Sequence, residues 1–324
     1  MFLSRLIYAA RAAAFVSAAA SLAFAAVPAH AAAPMAKTQA PGYYRVMLGA
    51  FEVTALNDGS FDLPVDKLLK QPADKTDAAL ARYFQKPPVE TSVNAFLINT
   101  GAKLVLVDTG TGGLSGPTSG TLLANLQAAG YKPEQVDDIF ITHMHGDHVG
   151  GLSHNGVAVF PNARVHAGKG DADYWLSTSN MEKAEEGKKG GFQMAIDSLK
   201  PYVAANRFQP IEADAEIVPG VRSWATPGHT PGHTSYVIES QGQKLIVTGD
   251  LIHVAAVQFD DPAVTIAFDS DGPGAAAARA KVFAQAAKDG TLIAAAHLQF
   301  PGMGRLKVNG KGWQFVPANY TRMR

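Results

Sequence analysis

Ile139-Phe140-Ile141-Thr142-His143-Met144-His145-Gly146-Asp147-His148 is the stretch that decides how the rest of the chain is read. Three imidazoles and a carboxylate fall within six residues, directly after an apolar run. Such a cluster is poor core material, because buried polar groups must find partners. It suits metal, since imidazole nitrogen and carboxylate oxygen are ligands for zinc and its first-row neighbours. The apolar run reads as a buried strand, Val136 to Thr142, that delivers the histidines at its end. A tight turn at Gly146 then brings the second pair of ligands alongside the first.

Working outward, the same event recurs three times. His229 follows the strand Val221 to Thr226, Asp250 follows Leu245 to Gly249, and His297 follows Leu292 to Ala296. Rim positions at strand ends are where α/β sheets place their chemistry. Seven candidate ligands, His143, His145, Asp147, His148, His229, Asp250 and His297, make a dinuclear site the economical reading. Two cations roughly 3.5–4 Å apart can share a water whose pKa falls to about 7, which gives a hydroxide nucleophile at neutral pH. No serine or cysteine nucleophile is then required. The chain has no G-x-S-x-G elbow, no G-x-x-x-x-G-K phosphate loop and no G-x-G-x-x-G.

A longer pattern occurs twice. Ser92 to Asp108 and Thr234 to Asp250 both read as strand, glycine-containing turn, Lys-Leu, apolar strand, Asp. Two related half-sheets, each bringing a carboxylate to one rim, explain this; a chance likeness between two hairpins is the alternative. Tyr43 to Leu63 alternates around Asn57-Asp58-Gly59, a hairpin signal. Leu68 to Gln85 reads as short helical or irregular structure. Ser119 to Gly130 reads as a helix with a serine cap and a glycine stop. Asp171 to Leu176 and Phe192 to Ala205 read as helices, joined by a charged, mobile surface loop from Glu182 to Gly191. Gly274 to Lys288 is an alanine-rich helix. Strands and helices alternate throughout, so the class is α/β.

Composition narrows the setting. Arg5 and Arg11 precede an uncharged, largely apolar stretch, and Ala29-His30-Ala31 fits a leader-cleavage site. Residues 1–31 are therefore expected to be a cleaved signal peptide, leaving 32–324 as one catalytic domain; an uncleaved anchor is the alternative. Among the 324 residues there is no cysteine, hence no disulfide and no thiolate ligand. A disulfide-free exported protein fits a bacterial periplasm. The 28 basic residues are matched by 28 acidic ones without a basic run, so neither nucleic acid nor a membrane surface is an expected partner.

With these stations in place the chain resembles the metallo-β-lactamase superfamily, whose H-x-H-x-D-H motif is read here as His143 to His148. The later stations are Pro227-Gly228-His229, Gly249-Asp250 and His297. The resemblance implies a four-layer αββα sandwich. It also implies one metal on His143, His145 and His229, a second on Asp147, His148 and His297, and Asp250 bridging them. Asp108 is expected to order the metal-bearing loops, and His233 to be structural. His154 and His166 are expected to be ordinary surface or core histidines. Zinc is the first expectation for the metal, with manganese, cobalt or iron also suited to such ligands. A non-catalytic metal-binding protein on this scaffold is the alternative of another class.

Within the superfamily the chain resembles methyl parathion hydrolase and its lactonase-like relatives, which include dihydrocoumarin hydrolase. Ala40-Pro-Gly-Tyr-Tyr-Arg45, Leu63-Pro-Val-Asp66, Ile141-Thr-His-Met-His145 and Val254-Ala-Ala-Val-Gln-Phe-Asp-Asp-Pro262 carry that likeness. It implies an aromatic pocket with Trp175 in one wall and Phe192 near another, and it implies a homodimer. The chain departs from the organophosphate-degrading pattern at Leu68, Ser115, the Gly190-Gly191 region, His253, Ile266 and Phe268. His253 stands where the resemblance places a leucine in that enzyme and a tyrosine in lactone-cleaving relatives. It either donates to a developing oxyanion or lines the pocket. The expected activity is that of a lactonase or arylesterase on aromatic lactones such as dihydrocoumarin, with weak phosphotriesterase activity. An organophosphorus hydrolase of the methyl parathion type is the alternative.

Overall fold

The computed structural model describes residues 33–114 and 116–323; the expected signal peptide, residues 1–31, and Ser115 lie outside them. Packing divides the chain into Met1–Ala40 and Pro41–Arg324. The described part of the first unit, 33–40, has no helix or strand.

The second unit builds two seven-stranded sheets. The first has the order β1 (Tyr43–Leu48), β2 (Phe51–Leu63), β3 (Val89–Asn99), β4 (Leu104–Val107), β5 (Asp138–Ile141), β8 (Arg164–Gly168) and β9 (Phe208–Ile211). A small hairpin, β6 (Ser153–His154) and β7 (Val157–Ala158), stands apart from it. The second sheet runs β10 (Glu216–Val218), β11 (Val221–Ala225), β12 (Thr234–Ser240), β13 (Gln243–Val247), β14 (Leu292–Ala294), β15 (Met303–Asn309) and β16 (Gly312–Pro317). The repeated pattern of the sequence is real. β3–β4 and β12–β13 are both antiparallel hairpins, and each passes to a parallel neighbour, β5 or β14.

Alternation along these strands sends one set of side chains between the sheets. Val53, Phe96, Val105 and Phe140 meet Val221, Tyr236, Leu245 and Ala294 there. The opposite faces are covered by helices. Leu97, Leu106 and Ile139 pack under the helices Leu122–Ala128 and Glu186–Ala204, while Ile246 and Ile293 pack under Gly272–Asp289. The result is the expected αββα sandwich. β5 is apolar on both faces because it is a parallel strand covered on both sides. Among the described residues no helix is long and apolar enough to cross a membrane.

Three local readings change. Asn57-Asp58-Gly59 is no hairpin turn: β2 runs through it with a bulge, and the chain reverses earlier, at Gly49-Ala50. Gly59 is required there by close approach and by φ 129°, since a Cβ would lie 2.1 Å from the Thr118 carbonyl oxygen. The bulge turns Asp58 inward, and its carboxylate accepts from Leu122 N–H at 3.0 Å. The helix Leu122–Ala128 is thus served at its N-terminus by Asp58, not by the expected serine. Gly130, with φ 92°, closes the segment as read. Finally, Glu182 to Gly191 is not a loop. Thr178–Lys183 is helical, and the long helix begins at Glu186, because Phe192, Ala195, Leu199 and Tyr202 form one buried stripe that carries its first turns.

Candidate active site

The two sheets place their ligand-type residues at one rim. Thr142 and His143 leave the end of β5, and His145 is the residue before the short helix Gly146–Val149 that holds Asp147 and His148. His229 lies in the connection from β11 to β12, Asp250 follows β13 and His297 follows β14. All seven candidates come together, along with His253.

The donor atoms have the spacing of ligands. His145 Nδ1 lies 3.0 Å from His143 Nε2 and 3.1 Å from His229 Nε2. Asp250 Oδ2 lies 3.5 Å from His143 Nε2 and 3.3 Å from His229 Nε2. Four donors about 2.0–2.1 Å from a tetrahedral zinc stand about 3.3 Å from one another. In the second cluster, Asp147 Oδ2 lies 3.6 Å from His148 Nε2 and 3.4 Å from His297 Nε2. Asp250 joins it, with Oδ1 3.3 Å from His148 Nε2 and Oδ2 3.2 Å from His297 Nε2. His148 Nε2 and Asp250 Oδ1 are buried and have no hydrogen-bond partner. Stranding two such atoms is costly, and a cation between them answers both. The donor set therefore fits two divalent ions.

Protonation agrees. Burial, with His148 beside it, pushes His143 well below its usual range, and burial takes His145 down to about 3. Both are neutral, the form that offers a lone pair. Burial alone would raise the Asp250 carboxyl, but the surrounding histidines, His297 and His148 foremost, hold it well below its usual range.

A second ring of groups fixes the ligands. Asp108 Oδ2 accepts from His148 Nδ1 at 2.9 Å and from the Thr142 hydroxyl at 2.8 Å, while Oδ1 accepts from Thr142 N–H. This is the ordering role expected of it. Asp269, which the sequence did not single out, accepts from His229 Nδ1 at 2.8 Å. The Ser92 carbonyl accepts from His297 Nδ1 at 2.9 Å. Each such bond holds a proton on Nδ1 and leaves Nε2 free as donor to a metal. His233 is structural as expected: its Nε2 accepts from Asp250 N–H at 3.1 Å, and burial depresses it to about 3. His166 is a core histidine paired with Asp138, and His154 is exposed. Arg279, fully buried, donates to the carbonyls of Leu251, Pro262 and Val264 and so braces the segment carrying Asp250 and Asp269.

His253 is buried against this cluster, with Nε2 3.1 Å from Asp250 Oδ2. Unlike His148, His229 and His297, it has no acceptor at its other nitrogen, since Nδ1 is buried and unpartnered. The contact reads as Nε2–H donating to the carboxylate.

Above the ligands opens a cavity of about 630 Å³. Its floor includes His145, Asp147, His229, Asp250, His253 and His297, and its walls are largely apolar, with Phe61, Leu63, Leu114, Trp175, Phe192 and Phe268. Trp175 and Phe192 stand together, ring centroids 4.8 Å apart. Two expected wall residues are not in the wall. Leu68 packs behind it, its carbonyl accepting from Ala267 N–H, and Ile266 is buried in the same apolar cluster. Leu63 and Phe61 of β2 take their place, because β2 continues past its bulge to the rim.

The metallo-β-lactamase superfamily model matches residues 88–297, which include all seven ligand positions and both hairpin repeats. The chain belongs to the metallo-β-lactamase superfamily. The superfamily hydrolase AbOPH, known from its crystal structure, is 38% identical, with a TM-score of 0.84 over 88% of this chain and 100% of that one. The dizinc quorum-quenching lactonase AidC, in complex with a product, N-hexanoyl-L-homoserine, is 27% identical, with a TM-score of 0.80 over 87% of this chain and 99% of that one. An N-acyl homoserine lactonase of Bacillus cereus is 32% identical over 147 residues, 45% of this chain and 50% of the relative. The chain spans about half the length of the curated lactonases it matches.

Proposed function

We propose that the protein is a metal-dependent lactonase acting on aromatic lactones such as dihydrocoumarin. One divalent ion would sit on His143, His145 and His229 and a second on Asp147, His148 and His297, with Asp250 shared. The observation that carries this reading is the pair of donor clusters, with two stranded buried atoms, at the floor of an apolar, aromatic cavity. Ions held there, zinc first in expectation, would lower the pKa of a water toward about 7 and polarise an ester carbonyl.

The chain's own residues do the rest. Asp108 and Asp269 keep protons on the Nδ1 atoms of His148 and His229 and so orient both rings. Trp175, Phe192, Phe61 and Phe268 exclude water and present ring faces to a flat fused lactone. His253 borders the carbonyl site. To donate to an oxyanion it must exchange its 3.1 Å contact with Asp250 for one with the substrate. A phosphotriester needs a bulkier site and in-line departure of its leaving group. The helix beginning at Glu186 carries Gly191 against Trp175, with only 3.3 Å from a Cβ built there to the indole, which leaves this wall close-set. Phosphotriesterase activity, as in methyl parathion hydrolase, is accordingly a weak side reaction in this reading. A second reading, N-acyl homoserine lactones as substrates, is favoured by the activities for which the relatives are named. Export to the periplasm and a homodimeric state belong to the same proposal.

A substrate panel on metal-loaded enzyme tests it: dihydrocoumarin, an N-hexanoyl homoserine lactone, a nitrophenyl ester, methyl parathion and a β-lactam, each with and without chelator. The aryl lactone should exceed methyl parathion in kcat/KM by at least about tenfold, roughly 1.4 kcal/mol in transition-state binding. Preference for the acyl homoserine lactone supports the second reading, and outright preference for the phosphotriester overturns both. Hydrolysis of nothing on the panel would favour a non-catalytic metal-binding protein.

A further inference from the structure

Asp171 is a fully buried carboxylate that no step above uses. Its oxygens are taken up by the two loops that carry the first ligand cluster. Oδ2 accepts from the backbone N–H of Met144, between His143 and His145, at 2.9 Å. The same oxygen accepts from the Thr230 hydroxyl, next to His229, at 3.0 Å. Oδ1 accepts from Gly232 N–H at 2.6 Å. One side chain therefore bonds a loop of the first sheet to a loop of the second. The approach is too close for any residue but glycine, since a Cβ on Gly232 would lie 2.0 Å from the Asp171 nitrogen.

This tie is separate from the ones that hold the sheets in register. At the strand ends Thr234 N–H donates to the Thr142 carbonyl, and the Tyr236 hydroxyl donates to that of Ile141, both at 2.8 Å. Those bonds survive without Asp171. The second cluster has its own anchors, Asp108 on His148 and the Ser92 carbonyl on His297. The Asp171 carboxylate, by contrast, bonds directly between the residue flanked by His143 and His145 and the residues that follow His229.

We infer that Asp171 is a positioning residue that holds the three-histidine cluster together across the two half-sheets and tunes the affinity of that metal position alone. The inference rests on the two-cluster metal reading above. Asn at this place keeps one carbonyl acceptor but turns an amide donor toward another N–H, so the tie is broken at one loop without a change of volume.

The test measures zinc affinity with a competing chelator in full-length protein carrying one cluster at a time. In a His297→Ala background the three-histidine position is intact, and in a His229→Ala background the other is. Asp171→Asn should weaken zinc binding by about 10–100-fold in the first background and by less than about threefold in the second. The cobalt(II) absorption spectrum of the first background should shift as well. Thr230→Val removes one donor to the same oxygen and should weaken the same position by at least about threefold. It decides the matter if Asp171→Asn does not fold. Equal weakening in both backgrounds, or none in the first, overturns the inference and leaves the metal reading intact. A parent chain that binds no zinc at all overturns both.

Discussion

Replacing Asp58 by alanine should loosen one wall of the cavity and lower stability by an amount that follows from its bonds. The carboxylate is fully buried and accepts from Thr111 N–H at 2.8 Å, the Thr111 hydroxyl at 2.9 Å, Gly120 N–H at 3.1 Å and Leu122 N–H at 3.0 Å. In Asp58→Ala the hydroxyl can turn to Ser119 Oγ, already 3.0 Å away, and Gly120, which is exposed, can reach water. The Thr111 and Leu122 amides have no such outlet. Two stranded buried amides cost about 1–3 kcal/mol each, together roughly 2–6 kcal/mol. At about 2–4 °C per kcal/mol, Tm should fall by roughly 4–24 °C. Because the segment from Thr109 to Leu122 includes the pocket residue Leu114, KM for an aryl lactone should rise while metal content is unchanged. Asp58→Asn keeps one acceptor but faces its amide toward the remaining donors, so it should recover less than half of the loss. Calorimetry and steady-state kinetics on the same preparations decide it. A melting point within about 2 °C of the parent, with KM unaltered, would refute the reasoning.

Four further outcomes are expected. Asp250→Ala should lose most of the activity and at least one of two bound metals, because it removes the carboxylate shared by both clusters; near-normal turnover with two metals retained would contradict this. Asp269→Asn should weaken metal binding about 10–100-fold by freeing the His229 ring, as read by chelator competition. His253→Leu removes a donor beside Asp250 and enlarges the apolar wall, so the ratio of lactone to phosphotriester hydrolysis should fall; a ratio that does not move shows that His253 is not the selector. Exported protein should begin at Ala32, and an intact mass that includes residues 1–31 would refute the cleaved leader.

Much of this architecture is legible because its physical signals are local. A parallel strand covered on both faces must be apolar throughout, which is why Ile139 to Ile141 could be assigned and the ligands placed at its end. The β3–β4 and β12–β13 repeat survives in sequence because each hairpin carries the same inside–outside alternation and ends in a rim aspartate. The misread segments are those where a local preference was overruled from a distance. Asn57-Asp58-Gly59 has turn chemistry, yet cross-strand partners on β3 on either side of it hold β2 straight through the bulge. The glycines between Glu186 and Gly191 lower helix propensity by roughly 1 kcal/mol each. The buried stripe starting at Phe192 outweighs them, and Gly191 gives the Trp175 ring room to pack.

The site divides along the same line. Ligands announce themselves because one strand end must present several at once, and the dense H-x-H-x-D-H spacing has few other uses. The groups that orient those ligands need supply only one acceptor at the right point. Any acidic residue on any neighbouring loop can serve, so position in the chain does not mark them. Asp108 was found because it closes a repeat. Asp269 lies 40 residues beyond His229, and Asp171 lies 27 residues beyond Met144, with no pattern connecting either to its partner. Their common mark is chemical. Each is a carboxylate sunk among apolar neighbours, and a chain keeps such a group only where several donors converge on it. Burial pushes Asp171 up to about 6 although three donors pull it back, a sign of how much low-dielectric surface encloses the tie between the half-sheets. A metal position assembled from two half-sheets needs a bond across their junction, and the strands that could provide one stop short of the loops that hold the ligands.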